Sequence, residues 1–192
     1  MRVIKLGGSL AGTEYLIDCL NVLKHYHQGG SLVVVPGGGV FADQVRTAQQ
    51  KWHFDDQTAH YMALLAMQQM ALLFKGLKPD LMIAHGVGAI KALLNQQQII
   101  IWSPDIVELD NANLSASWDI TSDSLSAWLA NELSATELVL IKAAVIEGNP
   151  SLHQLFEQQV VDKAFCEFVK KSTVITSVVN VQDWLFSIQK TY

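Results

Sequence analysis

Two glycine turns, each directly after a short apolar strand, constrain the fold of this chain more than any other feature. Residues 3–6 form a mostly apolar run that ends at the glycine pair 7–8, and the β-branched run over residues 31–35 ends at PGGG, residues 36–39. Apolar runs bounded by glycine and proline are typical of buried strands. Two such strands in succession predict a parallel sheet with both turns at the same edge.

Segments with strand and helix patterns alternate along all 192 residues. The length suits one compact domain, residues 1–192, better than two. The alternation predicts the α/β class: a three-layer α-β-α sandwich with a mostly parallel central sheet. The helix over residues 13–27 is expected to end at Gly29-Gly30. We predict strands over residues 3–6, 31–35, 81–84, 99–102, 137–141 and 173–179, and helices over 13–27, 40–50, 55–75, 86–94, 121–133, 161–169 and around Trp184.

Composition excludes several classes of protein. Half of the residues are hydrophobic and 16% are charged, which excludes a disordered chain. The net charge of −5 argues against binding nucleic acid or an anionic membrane through general charge. The longest apolar stretch, residues 61–74, is shorter than the ~20 residues of a membrane span, and no signal peptide is visible. We expect a cytoplasmic protein that binds neither nucleic acid nor a membrane. The two cysteines form no metal-binding motif.

The first glycine turn carries groups that bind anions. Lys5 precedes Gly7, Gly8 and Ser9. Glycines let backbone N–H groups approach a ligand, and the lysine adds a positive charge. The sequence does not fit the P-loop pattern, and residues 86–88 (GVG) lack the third glycine of a dinucleotide-binding turn. The pattern favours about equally an anion site at the sheet edge and two purely structural turns.

A third segment, residues 117–124 (SWDITSDS), is dense in hydroxyl and carboxylate side chains. It precedes a predicted helix, for which Thr121 is a candidate N-cap. Asp123 falls in the first turn of that helix, and Lys142 follows nineteen residues later at the end of a strand. The segment is either an elaborate helix cap or part of a site in which Asp123 meets the lysine.

Four segments in this order resemble the amino acid kinase family: KLGGSL, VVPGGGVFAD, WDITSDSLSAWLA and LVLIKA. The resemblance covers residues 1–148 well and implies the carbamate kinase-like fold of that family. It also implies ATP-dependent phosphoryl transfer to a small anionic acceptor, with Mg²⁺ held mainly through the ATP phosphates. FDDQTAHYMALLAMQQMA and SWDITSDSLSAWLA are similar to small family members that phosphorylate an (aminomethylfuranyl)methyl phosphate in methanofuran biosynthesis.

The resemblance implies three catalytic residues. Lys5 would contact the transferring phosphoryl group, Asp123 would orient the lysines, and Lys142 would stabilise the transition state. A phosphate or carboxylate acceptor is already ionised at neutral pH, so the reaction requires no general base.

The resemblance also assigns residues to the nucleotide. It implies that Gly7, Gly8 and Ser9 cradle the ATP phosphates. Ala143 and Gly148, in the segment that follows the last buried strand, are expected on the same nucleotide side.

On the acceptor side, the resemblance implies that Gly37, Gly38 and Gly39 hold the acceptor and part of the reacting phosphoryl group. Arg46, on the following helix, is a candidate to bind an anionic acceptor through two hydrogen bonds; the alternative is a solvated helix charge.

Two more residues are assigned to the acceptor with an alternative for each. Asp119 either pairs with a substrate ammonium or caps a helix. Trp118 either forms a wall for a flat ring or packs in the core. His60 is expected to be an ordinary packed or surface histidine rather than a group at the cleft.

The segment at residues 142–150, KAAVIEGNP, departs from the family pattern. Ala144 and Val145 stand where the family has a threonine and a polar residue, and the loop is shorter. We therefore expect an acceptor-binding part over residues 1–118 and a shortened nucleotide-binding part over residues 119–192. Two alternatives stay open: a weak or inactive nucleotide- or anion-binding homologue, and a kinase for a carboxylate or a nucleoside monophosphate.

The predicted helix over residues 55–75 is apolar on nearly all sides from residue 62 to residue 74. A helix of this kind is buried on more than one side. It is either a core helix alone or a core helix that also forms a dimer face. We predict a homodimer, or an assembly of dimers, through this helix.

Overall fold

The protein contains a six-stranded sheet in which every pair of neighbouring strands is parallel. The structure is a computed structural model, and it describes residues 1–27, 30–94 and 98–190. The strand order is β3-β4-β2-β1-β5-β6, with short strands of four to six residues. The strands are β1 (Arg2–Leu6), β2 (Leu32–Pro36), β3 (Met82–His85), β4 (Ile99–Ser103), β5 (Glu137–Lys142) and β6 (Ile175–Asn180).

Helices cover both faces of this sheet, which confirms the predicted three-layer α/β class. A short 3₁₀ helix, Gly8–Gly12, follows β1 directly. The α-helices are α1 (Tyr15–His27), α2 (Gly39–Trp52), α3 (Asp56–Leu77), α4 (Gly86–Leu93), α5 (Ile106–Asn111), α6 (Ser122–Glu132), α7 (Leu152–Glu157), α8 (Phe165–Lys170) and α9 (Val181–Gln189).

Side-chain alternation along the strands determines where the lysines point. In β1, Val3 packs in the core layer that contains α6, whereas Ile4 and Leu6 pack in the opposite layer with α1 and α9. Because successive strand residues face opposite sides, Lys5 lies on the α6 side. The same alternation places Lys142, at the end of β5, on that side, and β1 pairs with β5. The two lysines are therefore brought together on one face by strand pairing.

The order in which strands are added to the sheet changes sides at β1. From β1 the chain moves to β2, then to the edge strand β3 and to β4 on the same side of the sheet, and later to β5 and β6 on the other side. In open parallel sheets, ligands bind at such a reversal, beyond the carboxyl ends of the strands. Both glycine turns and Lys142 lie at this edge of the sheet.

The last part of the chain differs from the sequence prediction. The helix predicted over residues 161–169 begins only at Phe165, as α8, and the short helix α7 over Leu152–Glu157 was not predicted. A capping box begins α7, in which Ser151 and Gln154 satisfy each other's backbone N–H groups. The expected end of α1 at Gly29 lies outside the described residues.

Helix α3 packs against the sheet with one face and leaves apolar side chains exposed on another. Leu64 and Phe74 are buried, whereas Leu65 and Leu72 are exposed, Leu72 to 65%. Across the described ranges of the chain, no helix is both long and apolar enough to cross a bilayer. The cytoplasmic location stays a prediction.

Candidate active site

Lys5, Asp123 and Lys142 form one buried cluster at the carboxyl edge of the sheet. The Lys5 ammonium lies 2.7 Å from Oδ1 of Asp123, and the Lys142 ammonium lies 2.6 Å from Oδ2. Their side chains are 3%, 6% and 12% exposed for Lys5, Asp123 and Lys142, respectively. The structure thus brings together the three residues that the sequence predicted to be catalytic.

The cluster carries one more positive charge than negative charge. Burial by itself raises the pKa of the Asp123 carboxyl, but the charges of Lys5 and Lys142 outweigh it and hold that pKa below its usual range. Burial, assisted by the charge of Lys5, lowers the pKa of Lys142 from its ordinary 10.5 to about 8, against the opposing effect of Asp123. A buried excess of positive charge is costly unless an anion neutralises it, so the cluster favours a bound anion.

The two glycine turns pack backbone against backbone. A Cβ added to Gly8 would lie 2.5 Å from the backbone nitrogen of Gly39, and one added to Gly37 would lie 2.4 Å from that of Gly8. Real Cβ atoms do not approach other atoms so closely. Glycines at these positions therefore let the two turns touch, and Gly39 also has a left-handed φ of +54°.

Some N–H groups of these turns bind within the protein. The Gly7 N–H donates to the Ile141 carbonyl at 2.9 Å, and the Gly37 N–H donates to the Leu6 carbonyl at 2.9 Å. These bonds extend the sheet, so the two N–H groups are not free for a phosphate. The remaining glycines and Ser9 lie at the starts of two helices, where N–H groups have no partner inside the helix.

A cavity of about 200 Å³ lies beside the glycine turns, between helices α2, α3 and α6. It has a polar side and an apolar side. Its polar and aromatic lining consists of Ser9, Asp43, Arg46, His60, Trp118, Thr121 and Ser122. Its glycine and apolar lining consists of Gly8, Gly38, Gly39, Ala42, Ala63, Leu64, Met67, Ile120 and Leu125. This combination suits a small ligand with an anionic end and an apolar body.

Arg46 and Trp118 form one wall of this cavity. The Arg46 guanidinium carbon lies 3.7 Å from the centroid of the Trp118 indole, and the indole Nε1 donates to Oε1 of Gln49 at 2.7 Å. His60, on the opposite helix α3, is buried, and burial lowers its pKa against the opposing charge of Asp110, which favours the neutral imidazole. His60 is thus a packed histidine, as the sequence predicted, and it also lines the cavity, which was the alternative.

Asp119 lies outside this cavity. Its carboxylate forms a salt bridge of 2.7 Å with Lys163, and both side chains are more than half exposed. It lines a second, wider groove of about 560 Å³ on the other side of residues 113–120. The acidic side chain that does line the first cavity is Asp43.

A loop follows β5 in the part of the chain that the sequence predicted to bind the nucleotide. The Asn180 side chain donates to the carbonyls of Ala143 and Ala144, at 3.4 and 2.9 Å. Gly148 has a left-handed φ of +66°. Ala144 and Val145 line a shallow hollow of about 310 Å³ beside this loop.

Helix α6, which carries Asp123, begins with a cap that the sequence did not predict. Thr121 occupies the N-cap position, but its side chain does not cap the helix and instead donates to Asp162 at 2.7 Å. Asp162 accepts from the backbone N–H groups of Thr121, Ser124 and Phe165 and from the Ser124 hydroxyl. The carboxylate from the tail of the chain thus holds the start of α6 in place.

With the site described, comparison with known proteins identifies the family. A model of the amino acid kinase family matches residues 1–166. The chain belongs to the amino acid kinase family. The predicted membership is confirmed, and the segment 143–150 lies within the matched residues.

One relative of known activity is the [5-(aminomethyl)furan-3-yl]methyl phosphate kinase of Methanocaldococcus jannaschii. It is 28% identical over 151 residues, which cover 73% of this chain and 64% of that protein. The match therefore spans less than two thirds of the relative.

Solved structures show the same fold at low sequence identity. The uridylate kinase of Archaeoglobus fulgidus superposes with a TM-score of 0.73 at 15% identity, covering 98% of this chain and 96% of that one. The UMP kinase of Ureaplasma parvum gives 0.72 at 15% identity, covering 94% and 89%. The aspartate kinase of Synechocystis gives 0.71 at 15% identity, covering 95% of this chain and 38% of that one. The predicted amino acid kinase fold is confirmed by these neighbours.

Proposed function

We propose that this family member is an ATP-dependent phosphotransferase that acts on a small anionic acceptor. The observation that supports the proposal most strongly is the buried cluster of Lys5, Asp123 and Lys142, with its excess positive charge, at the edge where both glycine turns meet. Phosphoryl transfer depends on positioning and on neutralising the charge of the transferring group rather than on covalent chemistry. Two lysines held by one carboxylate meet that need.

Each residue of the cluster has a separate part in the proposed reaction. Asp123 accepts hydrogen bonds from Lys142 with both carboxylate oxygens and pairs with Lys5, so the two ammonium groups are fixed in direction. Preorganised positive groups stabilise developing negative charge without reorganising. Lys5 and Lys142 would neutralise the phosphoryl oxygens as the charge shifts between the two reacting oxygens.

The residues fit ATP and Mg²⁺ as cofactors. The free N–H groups at the starts of the two helices suit phosphate oxygens. Within the described ranges no three acidic, histidine or cysteine side chains lie together as a metal site, and both oxygens of Asp123 are engaged by lysines. Mg²⁺ would therefore enter on the nucleotide phosphates, and it supplies charge neutralisation when bound.

For the acceptor, we propose a phosphate ester on a small ring, such as [5-(aminomethyl)furan-3-yl]methyl phosphate, the substrate named for the relative. The cavity beside the glycine turns supports this choice through its size, its Trp118 and Arg46 wall and its apolar floor. An ionised phosphate needs no general base, and the neutral His60 is not required as one. Asp43, rather than the salt-bridged Asp119, is the carboxylate placed to meet an ammonium group.

The proposal is tested by incubating the protein with Mg·ATP and this acceptor and measuring ADP and phosphorylated product. The same assay with nucleoside monophosphates and carboxylates tests the alternative acceptors. ADP formation that depends on the presence of one of these acceptors supports a kinase for that acceptor. Binding of Mg·ATP by calorimetry, with no ADP formed from any acceptor, would instead support an inactive binding homologue.

We also propose a homodimer through α3. The exposed apolar side chains Leu65, Leu72 and Leu73 lie on this helix, away from the sheet. Burying them against a second copy would remove apolar surface from water. Light scattering is expected to give twice the chain mass, and Leu72→Glu is expected to give a monomer; a monomeric wild type would contradict the proposal.

A further inference from the structure

We propose that Trp118 and Gln49 are positioning residues that hold the Arg46 guanidinium over the acceptor cavity, where it binds the anionic group of the acceptor. The inference rests on the proposed function, because it assigns a role in binding the acceptor of that reaction.

Three side chains hold one another in sequence. The Arg46 guanidinium stacks on the Trp118 indole at 3.7 Å from the ring centroid. The indole Nε1 donates to Oε1 of Gln49 at 2.7 Å. The Gln49 Nε2 in turn donates to Oδ1 of Asp56 at 2.9 Å and to the Phe54 carbonyl at 3.2 Å. The indole is therefore fixed both at its nitrogen and at its face.

Helix geometry explains why these groups meet. Arg46 and Gln49 are three residues apart on α2, so their side chains lie on one face of the helix. Trp118 reaches that face from the segment before α6, 69 residues away from Gln49. Asp56, at the start of α3, holds the far side of the Gln49 amide. The support of Arg46 thus depends on three separate parts of the chain.

Within residues 1–27, 30–94 and 98–190, Arg46 forms no salt bridge and donates no hydrogen bond. Asp43 lines the same cavity and its charge acts on the guanidinium, but within these described ranges the two side chains form no salt bridge. The guanidinium therefore keeps all its N–H donors for a ligand. A planar guanidinium stacked on an aromatic ring presents its edge, which suits two parallel hydrogen bonds to one phosphate or carboxylate.

Fixing this group in advance has a specific consequence for binding. A free arginine side chain loses rotamer freedom when it binds an anion, whereas a stacked one has already lost it. Loss of the stack should therefore weaken acceptor binding and leave the chemical step unchanged. Removing Gln49 should act in the same direction, because the indole loses the bond that sets its orientation.

The test compares Trp118→Leu, Gln49→Leu and Arg46→Leu with wild type. Two quantities are measured: KM and kcat for [5-(aminomethyl)furan-3-yl]methyl phosphate with Mg·ATP, and Kd for inorganic phosphate by calorimetry. We expect Trp118→Leu and Gln49→Leu to raise KM and Kd by about three- to thirtyfold with kcat unchanged. Trp118→Phe keeps an aromatic face but loses the indole N–H that binds Gln49, so it is expected to raise KM and Kd about as much as Gln49→Leu and less than Trp118→Leu. Gln50→Leu, at the exposed neighbouring position, is the matched control and should change neither.

A double-mutant comparison separates positioning from a structural effect. If Gln49 acts through Arg46, Gln49→Leu should raise KM and Kd no further once Arg46→Leu is present. If Gln49 had only a structural role, Gln49→Leu would raise KM and Kd by the same factor with Arg46 present and with Arg46→Leu. The melting temperature and the NMR signal of the Trp118 indole N–H, assigned with Trp118→Phe, confirm that the fold is intact and that Gln49→Leu breaks the indole bond.

Three results would overturn the inference: KM and Kd unaffected by Trp118→Leu and Gln49→Leu, effects on kcat rather than KM, or additive effects in the Arg46→Leu background. Failure of the proposed function is a separate result: wild type forms no ADP, while its Kd for inorganic phosphate still rises in Arg46→Leu and Trp118→Leu. A carboxylate that binds more tightly than phosphate would keep the positioning role and exclude the phosphate acceptor.

Discussion

At the scale of single residues, the cluster at the sheet edge combines two lysines with one carboxylate almost out of contact with water. Such an arrangement costs stability, because the second ammonium is buried without a carboxylate of its own. Functional sites commonly keep groups that the fold alone would not favour. Substituting the carboxylate and substituting a lysine should therefore change the free energy of unfolding differently.

Asp123→Asn leaves two buried ammonium groups without a negative partner, and we expect it to lower the free energy of unfolding by about 3–5 kcal/mol. Lys142→Met leaves a neutral Lys5–Asp123 pair and should cost clearly less, or stabilise the protein. Urea denaturation of both variants measures the difference. An equal loss of unfolding free energy in the two variants, or a larger loss for Lys142→Met, would show that the excess positive charge does not destabilise the protein.

The lowered pKa of Lys142, about 8, predicts a pH dependence. Above this pH the free protein loses the Lys142 charge, so kcat/KM should fall as the pH rises through about 8. Lys142→Arg stays charged, and its lower activity should not show this fall. Stability should change in the opposite direction: the unfolded chain keeps its proton up to about 10.5, so the free energy of unfolding rises between these two pKa values. A kcat/KM that is flat across pH 8 in wild type would contradict the assignment.

At the scale of secondary-structure elements, the start of α6 depends on the tail of the chain. The Asp162 carboxylate accepts the N–H groups that a local cap would otherwise satisfy, and it lies 38 to 41 residues from its partners in α6. Because α6 carries Asp123, the tail also sets the position of the Asp123 carboxylate.

We expect Asp162→Ala to lower the free energy of unfolding by about 2–4 kcal/mol, since several buried donors lose a charged acceptor. Thr121→Ala removes one donor and leaves the carboxylate with its other partners, so its cost should be about 1 kcal/mol. Thermal and urea denaturation compare the two variants. If Thr121→Ala is as costly as Asp162→Ala, the hydroxyl rather than the carboxylate holds the helix.

The contact of the two glycine turns gives a further prediction at this scale. Gly8→Ala places a methyl group 2.5 Å from backbone, which must move, and we expect a loss of about 1–3 kcal/mol together with loss of phosphate binding. Gly12→Ala is the matched control, because no atom lies within 4 Å of its added Cβ. Calorimetric titration with phosphate and thermal denaturation measure both effects. Equal tolerance of the two substitutions would contradict the close packing of the turns.

At the scale of the whole molecule, the sequence predicted what depends on local pattern. Apolar runs bounded by glycine or proline predicted the strands β1, β2, β4 and β5 and the glycine turns. The family resemblance predicted the three catalytic candidates, and the family is confirmed. The pairing of β1 with β5, a strand order that the sequence did not predict, then brings Lys5 and Lys142 together.

What the sequence did not predict depends on contacts between distant residues. The rule for N-caps favours the local Thr121, whereas the acceptor is Asp162, and nothing near Asp162 marks it as a cap. The bond between Gln49 and Trp118 likewise has no local signal. The placement of Asp119 outside the cavity follows from its salt bridge with Lys163, 44 residues away.

Phosphorus NMR of [5-(aminomethyl)furan-3-yl]methyl phosphate, incubated with Mg·ATP and catalytic amounts of the protein, distinguishes a kinase from an inactive homologue. We expect ADP together with a new diphosphate ester, and loss of both in Lys142→Ala, because the cluster then loses its excess positive charge and only Lys5 is left to neutralise the transferring phosphoryl group. If wild type forms no ADP with this acceptor or any other small phosphate or carboxylate, or if Lys142→Ala is as active as wild type, the buried cluster is not a phosphoryl-transfer site.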